Sequence, residues 1–166
     1  MTSSSSTNID LKFLKQAVNQ AKKSLKLGGF PAGTVLVKDG KVISLGVSLG
    51  FKLHDPTSHS DTSSIRIACQ KLKTTNLTGA TIYTTLQPCL MCFSVAGWAN
   101  IKKIIYGCQK TSDLVQKGYY EGSADINKIN DQNNQKIELM YIPDYESEIL
   151  SIISEWEKIN IATPNP

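Results

Sequence analysis

The chain has 166 residues, a formal net charge of +4, 40% hydrophobic residues and 19% charged residues. That length suits one domain with a real buried core, and that balance is ordinary for a globular protein, which excludes a disordered or fibrous chain. No apolar run approaches the roughly 20 residues that span a bilayer, and the lysines are dispersed rather than gathered into the patch of a nucleic-acid footprint, so a nucleic-acid partner is disfavoured without being excluded.

In chain order, Met1 to Thr7 is polar and Ser-rich, with neither the basic nor the apolar region of a secretory signal. Residues 1–8 are expected to be a disordered tail, residues 9–166 one domain, and the protein cytoplasmic. Asp10 to Leu27 reads as a helix, with Leu14, Ala17, Val18, Ala21 and Leu25 at three- and four-residue spacing, ended by Gly28-Gly29. Thr34 to Val37 and Val42 to Leu45 flank Asp39-Gly40, a strong hairpin signal. Leu49 to Thr57 reads as a loop. A second helix starts near Ser58 and carries Ile65, Ala68, Cys69 and Leu72. Ala80 to Thr84 is a strand, a helix runs from Pro88 to about Ala99, and Lys103 to Cys108 is a buried-type strand. Thr111 to Gln135 reads as irregular and polar; Tyr119-Tyr120-Glu121-Gly122 within it suggests a lid or a partner contact. Ile137 to Ile142 is a last strand whose direction is open. The final helix, Tyr145 to Asn160, puts Ile149, Ile152, Ile153, Trp156 and Ile159 on one face, as core or dimer surface. Trp98 is expected in the core. The order α-ββ-α-β-α-β-β-α implies a mixed sheet between helices.

Four residues carry the chemistry. Without a secretion signal, Cys89-Leu90-Met91-Cys92 reads as metal-binding or redox rather than a disulfide half, while Cys69 and Cys108 suit small core positions. Cysteines three apart on a first helical turn project to one side, and His59, at another helix start, can complete a three-ligand zinc site with its fourth position open. Helix N-termini favour thiolates there. Asp61, two residues after the histidine, is placed as a proton shuttle beside the metal. A Cys-x-x-Cys alone would fit a redox pair or two core thiols equally well; the combination with His-x-Asp is what is specific. A structural zinc would need a fourth ligand, and Cys69 supplies one only by leaving the apolar face it shares with Ile65 and Leu72.

At these residues the chain resembles the cytidine deaminase superfamily, in the branch that holds guanine deaminases, fungal cytosine deaminase and tRNA adenosine deaminases. The matching pieces are Gly29 to Val37, Asp55-Pro56-Thr57-Ser58-His59, Ile65-Arg66, Thr85 to Cys92, and Ala99 to Gly107. The resemblance implies an α/β fold, a three-layer α/β/α sandwich with a five-stranded mixed sheet. It also implies zinc held by His59, Cys89 and Cys92, and a homodimer. The chemistry it implies is hydrolytic deamination, zinc hydroxide attacking the amine-bearing ring carbon while the shuttle carries protons.

Three positions depart from the family pattern. The catalytic Glu is Asp61, one methylene shorter; the Asn that commonly closes the second strand and touches substrate falls at Ser48; the Glu before Pro-Cys is Gln87. After Gly107 the chain lacks the glycine-rich segment of the tRNA-acting members. Its Lys110-Thr111-Ser112-Asp113 is closer to the guanine-deaminase side, which makes Asp113 a candidate substrate contact, with helix capping as its other reading. The expected substrate is a free nucleobase or nucleoside, purine ahead of pyrimidine. The alternatives are a tRNA adenosine deaminase or its subunit, and a zinc-binding pseudo-deaminase disabled by its Asp.

Overall fold

The computed structural model describes residues 7–160, so most of the expected N-terminal tail lies outside the described residues. Helix α1, Asn8–Lys26, begins ahead of Asp10 because Thr7 and Asp10 form a capping box: the Thr7 hydroxyl accepts the Asp10 N–H, and the Asp10 carboxylate accepts the Thr7 N–H, both at 3.2 Å. Strands β1, Gly33–Lys38, and β2, Lys41–Val47, make the expected hairpin, with Asp39 and Gly40 both at positive φ as a tight turn requires. A single helical turn, α2, Gly50–Leu53, interrupts the expected loop. Then follow α3, Ser60–Leu72; β3, Ala80–Leu86; α4, Leu90–Trp98; and β4, Lys103–Cys108.

The segment expected to be irregular holds two short helices, α5, Ser112–Gln116, and α6, Ile126–Gln132. Each buries one apolar residue, Leu114 or Ile126, too few to write a helical period into the sequence. Strand β5, Glu138–Tyr141, and helix α7, Glu146–Asn160, complete the chain. The sheet order is β2-β1-β3-β4-β5. β1 is antiparallel to both its neighbours, whereas β3, β4 and β5 are parallel. The direction of β5 follows from the crossover through α5 and α6, because a parallel return needs a long connection.

Alternation along the central strands builds two cores. Leu36, Ile82 and Ile104 face Ile65 and Ala68 of α3, Phe93 and Ala96 of α4, and Ile126 of α6. Val35, Tyr83 and Ile105 face Phe13, Leu14 and Ala17 of α1, and Ile149, Ile152 and Ile153 of α7 join Val18 of α1 on the same side. The three-layer α/β/α expectation holds.

Two glycines set how closely the helices press on the sheet. A Cβ at Gly33 would lie 2.2 Å from the Ala17 carbonyl oxygen, and one at Gly46 would lie 1.9 Å from the Ser60 carbonyl oxygen. The second contact seats the start of α3 directly on β2. Trp98 departs from its expected core position: it ends α4 and is 85% exposed. Nearly every residue of α4 is apolar, so no period in the sequence distinguishes its outward side.

Candidate metal centre and active site

Two helix starts converge at one end of the sheet. His59 is the N-cap of α3 and Cys89 the N-cap of α4, and neither makes a side-chain capping hydrogen bond. Cys92 follows one turn into α4. His59 Nδ1 lies 3.6 Å from Cys89 Sγ and 3.5 Å from Cys92 Sγ, and the three ligand atoms fall within 4.8 Å of one another.

The protons of this group are arranged around a single negative charge. A hydrogen bond from Cys92, aided by His59 and opposed by burial, pulls the Cys89 thiol down to about 5. Cys92 is held well above the usual thiol range by its donation to Cys89, by burial and by the Asp61 carboxylate. The hydrogen bond with Cys89 raises His59 against the effect of its burial. A second thiolate therefore needs a cation beside it. One imidazole nitrogen and two sulfurs are a zinc donor set, and the group opens on a cavity rather than on a fourth protein ligand, as a catalytic zinc requires. Among the described residues these three alone form a metal-binding cluster.

Asp61, on the first turn of α3, is buried beside them. Its carboxylate accepts the Thr34 hydroxyl at 2.5 Å. Burial pushes its proton affinity above the ordinary carboxylate range, and hydrogen bonds from Thr34 and Thr84 offset part of that rise.

The cavity over this group has a volume of about 710 Å³, and His59, Asp61, Cys89 and Cys92 all line it. That volume is in the range of small-molecule sites, roughly 300–1,000 Å³. Ser48 lines it and is fixed by a hydrogen bond from its N–H to the Ser24 hydroxyl at 2.9 Å. Asp113 does not: its carboxylate sits on the first turn of α5, 67% exposed, in an ion pair with Lys117 at 3.0 Å. Its place on a short surface helix sets it beside that lysine, away from the cavity lining.

Sequence reasoning missed most of the wall. Phe30, Phe51 and His54 line the cavity, as does Trp156 of α7. Phe30, Tyr119 and Trp156 form a cluster with ring centroids 5.0–5.8 Å apart. Nothing in the stripe of α7 separated Trp156 from its core neighbours. Tyr119 and Tyr120 do come from the segment singled out as a lid. The Tyr120 hydroxyl donates to the Gln87 carbonyl at 2.9 Å, and Glu121 accepts the Leu90 N–H at 2.6 Å, capping α4 beside Cys89.

With this geometry in view, residues 7–108 match the cytidine and deoxycytidylate deaminase zinc-binding region. The chain belongs to that family and is a zinc-binding deaminase of the cytidine deaminase superfamily. It is 35% identical over 84% of its length to a tRNA-specific adenosine deaminase of Aquifex aeolicus, covering 89% of that protein. It is 37% identical over 64% of its length to a guanine deaminase of Bacillus subtilis, covering 69% of that one. A solved structure of a tRNA:A34 deaminase superposes with a TM-score of 0.73 at 28% identity, over 86% of this chain and 99% of the other. Among the described residues no helix is long and apolar enough to cross a membrane.

Proposed function

We propose that this single-domain chain is a zinc-dependent hydrolytic deaminase of a free nucleobase or nucleoside, with a purine such as guanine ahead of a cytosine-type ring. The observation that carries the reading is the shared cavity: the metal cluster, a buried carboxylate and an aromatic wall line one space, and among the described residues no Lys or Arg does. Such a lining suits a flat, uncharged ring better than a phosphate backbone.

His59, Cys89 and Cys92 would hold the zinc, which when bound supplies Lewis acidity and a nucleophile near neutral pH. Asp61 takes one proton from the attacking water and passes it to the ring nitrogen as the C–O bond forms. It then takes the remaining proton from the new hydroxyl and passes it to the amine, so the C–N bond breaks, a carbonyl is left and ammonia departs. Its raised proton affinity suits a group that must both take a proton and return it. Phe30, Tyr119 and Trp156 flank the ring, and Ser48 offers a polar contact at its edge. The four unpaired cysteines suit a reducing, cytoplasmic setting. The exposed Trp98 offers apolar surface to a second copy, in keeping with a homodimer.

A second reading is favoured by the Aquifex aeolicus relative: adenosine deamination within tRNA, alone or as a subunit. Ammonia release from guanine, adenine, cytosine and their nucleosides, run beside inosine formation in tRNA, separates the two. Turnover of tRNA alone, weakening steeply with salt, would replace the first reading with the second. Asp61→Ala is expected to keep its zinc and lose turnover; parent-like turnover in that variant would sink the shuttle assignment. Full zinc with no turnover of any substrate would mean a pseudo-deaminase.

A further inference from the structure

The closest hydrogen-bond partner of Asp61 comes from the sheet. Thr34 on β1 and Thr84 on β3 are register partners, and both are buried. Thr34 Oγ1 lies 2.5 Å from Asp61 Oδ1, 3.0 Å from Ser60 Oγ and 3.2 Å from Thr84 Oγ1. A hydroxyl has one proton to give and two lone pairs to offer. The Thr34 proton has three acceptors within reach, and the Asp61 carboxyl oxygen is the nearest, so Thr34 donates to Asp61, with the Ser60 and Thr84 hydroxyls as its more distant polar neighbours. The three hydroxyls thus cluster beside one carboxylate, and Thr34 is the one that bonds it at 2.5 Å.

We propose that Thr34 is a positioning residue for deamination, holding the Asp61 carboxylate in its working orientation through this hydrogen bond. The inference rests on the reading of Asp61 as the proton carrier and deepens it. Aspartate has little reach of its own, so its place depends on what grips it. Threonine is well suited to grip: its β-branched side chain is stiff at χ1, and Thr34 sits on a strand hydrogen-bonded on both sides. Thr34 itself does not line the cavity, whereas Thr84, Ser60 and Asp61 do. It acts on the reaction only through Asp61.

The test uses the full chain with its zinc, assayed for ammonia release from guanine and for inosine formation in tRNA, with zinc content and thermal midpoint measured for each variant. Thr34→Val keeps the shape and removes the hydroxyl. It is expected to keep its zinc and its KM while kcat falls on the order of a hundredfold, the scale set by a displacement of about 1 Å. Thr34→Ser, which restores the hydroxyl, should recover most of that loss. Asp61→Glu pushes an extra methylene against the Thr34 hydroxyl, so Asp61→Glu combined with Thr34→Ala should be faster than Asp61→Glu alone. Thr34→Val with parent kcat, beside an inactive Asp61→Ala, would overturn the positioning role and leave the shuttle standing. Equal rates for the Asp61→Glu single and double variants would also count against it. A parent-like Asp61→Ala, or a parent silent on both substrates, would overturn the shuttle reading and this inference with it.

Discussion

The Tyr119 hydroxyl donates to the Glu157 carboxylate at 2.8 Å, tying the segment after α5 to the last helix. Lys117 reaches the same carboxylate at 3.1 Å. Each side of this tie carries one member of the aromatic wall, Tyr119 on one and Trp156 on the other. Tyr119→Phe keeps the ring and breaks the tie. It should raise KM severalfold with kcat nearly unchanged, since Lys117 still holds Glu157 and a typical hydrogen bond contributes about 0.5–1.5 kcal/mol net. Steady-state kinetics on the best substrate would check this; a fall in kcat at constant KM would contradict it.

Trp156→Ala removes the largest ring of the cluster. Aromatic pairs contribute about 0.5–1.5 kcal/mol beyond the area they bury, so KM should rise about tenfold if the wall stacks on substrate. Substrate protection against thermal unfolding should shrink with it. A variant that binds substrate as the parent does would make Trp156 a packing residue only.

Glu121 caps α4 from the segment that follows α5, and its carboxylate sits at the positive end of α4. Glu121→Ala leaves the Leu90 N–H without this partner and should cost about 1 kcal/mol, the usual loss of a cap. Chemical denaturation of the zinc-loaded protein measures it. Because Leu90 adjoins Cys89, zinc should also leave faster in a chelator chase, and an unchanged release rate would show the cap to be local.

Removing either thiol tests the metal group directly. Cys89→Ala and Cys92→Ala are each expected to lose zinc by elemental analysis, since two ligands do not make a tight zinc site. Cys108→Ala is expected to retain it, because that thiol packs among Val18, Leu114 and Ile149. Full zinc occupancy after loss of Cys89 or Cys92 would refute the ligand set.

The α/β/α layering and the metal group were legible in the sequence because their signals are local. The Asp39-Gly40 turn, the apolar stripe of α1 and the Cys-x-x-Cys spacing each fall within a few residues. Most of the cavity wall was not legible, because Phe30, His54 and Trp156 meet the Tyr119 segment only through the crossover and the packing of α7. Trp98 was misplaced for a different reason: a helix apolar on every side does not say which side faces out. The outward place of Asp113 was not legible either, because α5 is a short surface helix whose direction nothing in its five residues fixes.

Asp10 predicts an acid limit. Burial alone would raise its pKa, but hydrogen bonds from Thr7 and from the Tyr83 hydroxyl, at 2.8 Å, hold it below the usual 3.8. A depressed folded value means the stabilisation is fully present above 3.8 and is lost as pH falls through the lower folded pKa. Asp10→Asn should therefore cost about 1–2 kcal/mol at pH 7. The gap from the parent should narrow as pH drops below 3.8, as followed by urea unfolding across that range. A gap constant with pH would remove charge from the explanation.

His59 precedes the central strand β3 in the chain, and Cys89 and Cys92 follow it. An ion held by all three would bridge the segments on either side of that strand and close the chain between them into a loop. Its occupancy would favour the folded state by mass action, so the melting temperature would follow free zinc concentration. Zinc starvation would then be felt first as faster hydrogen exchange at the starts of α3 and α4. The protein's lifetime in a cell would thus depend on its metal supply before its catalysis did.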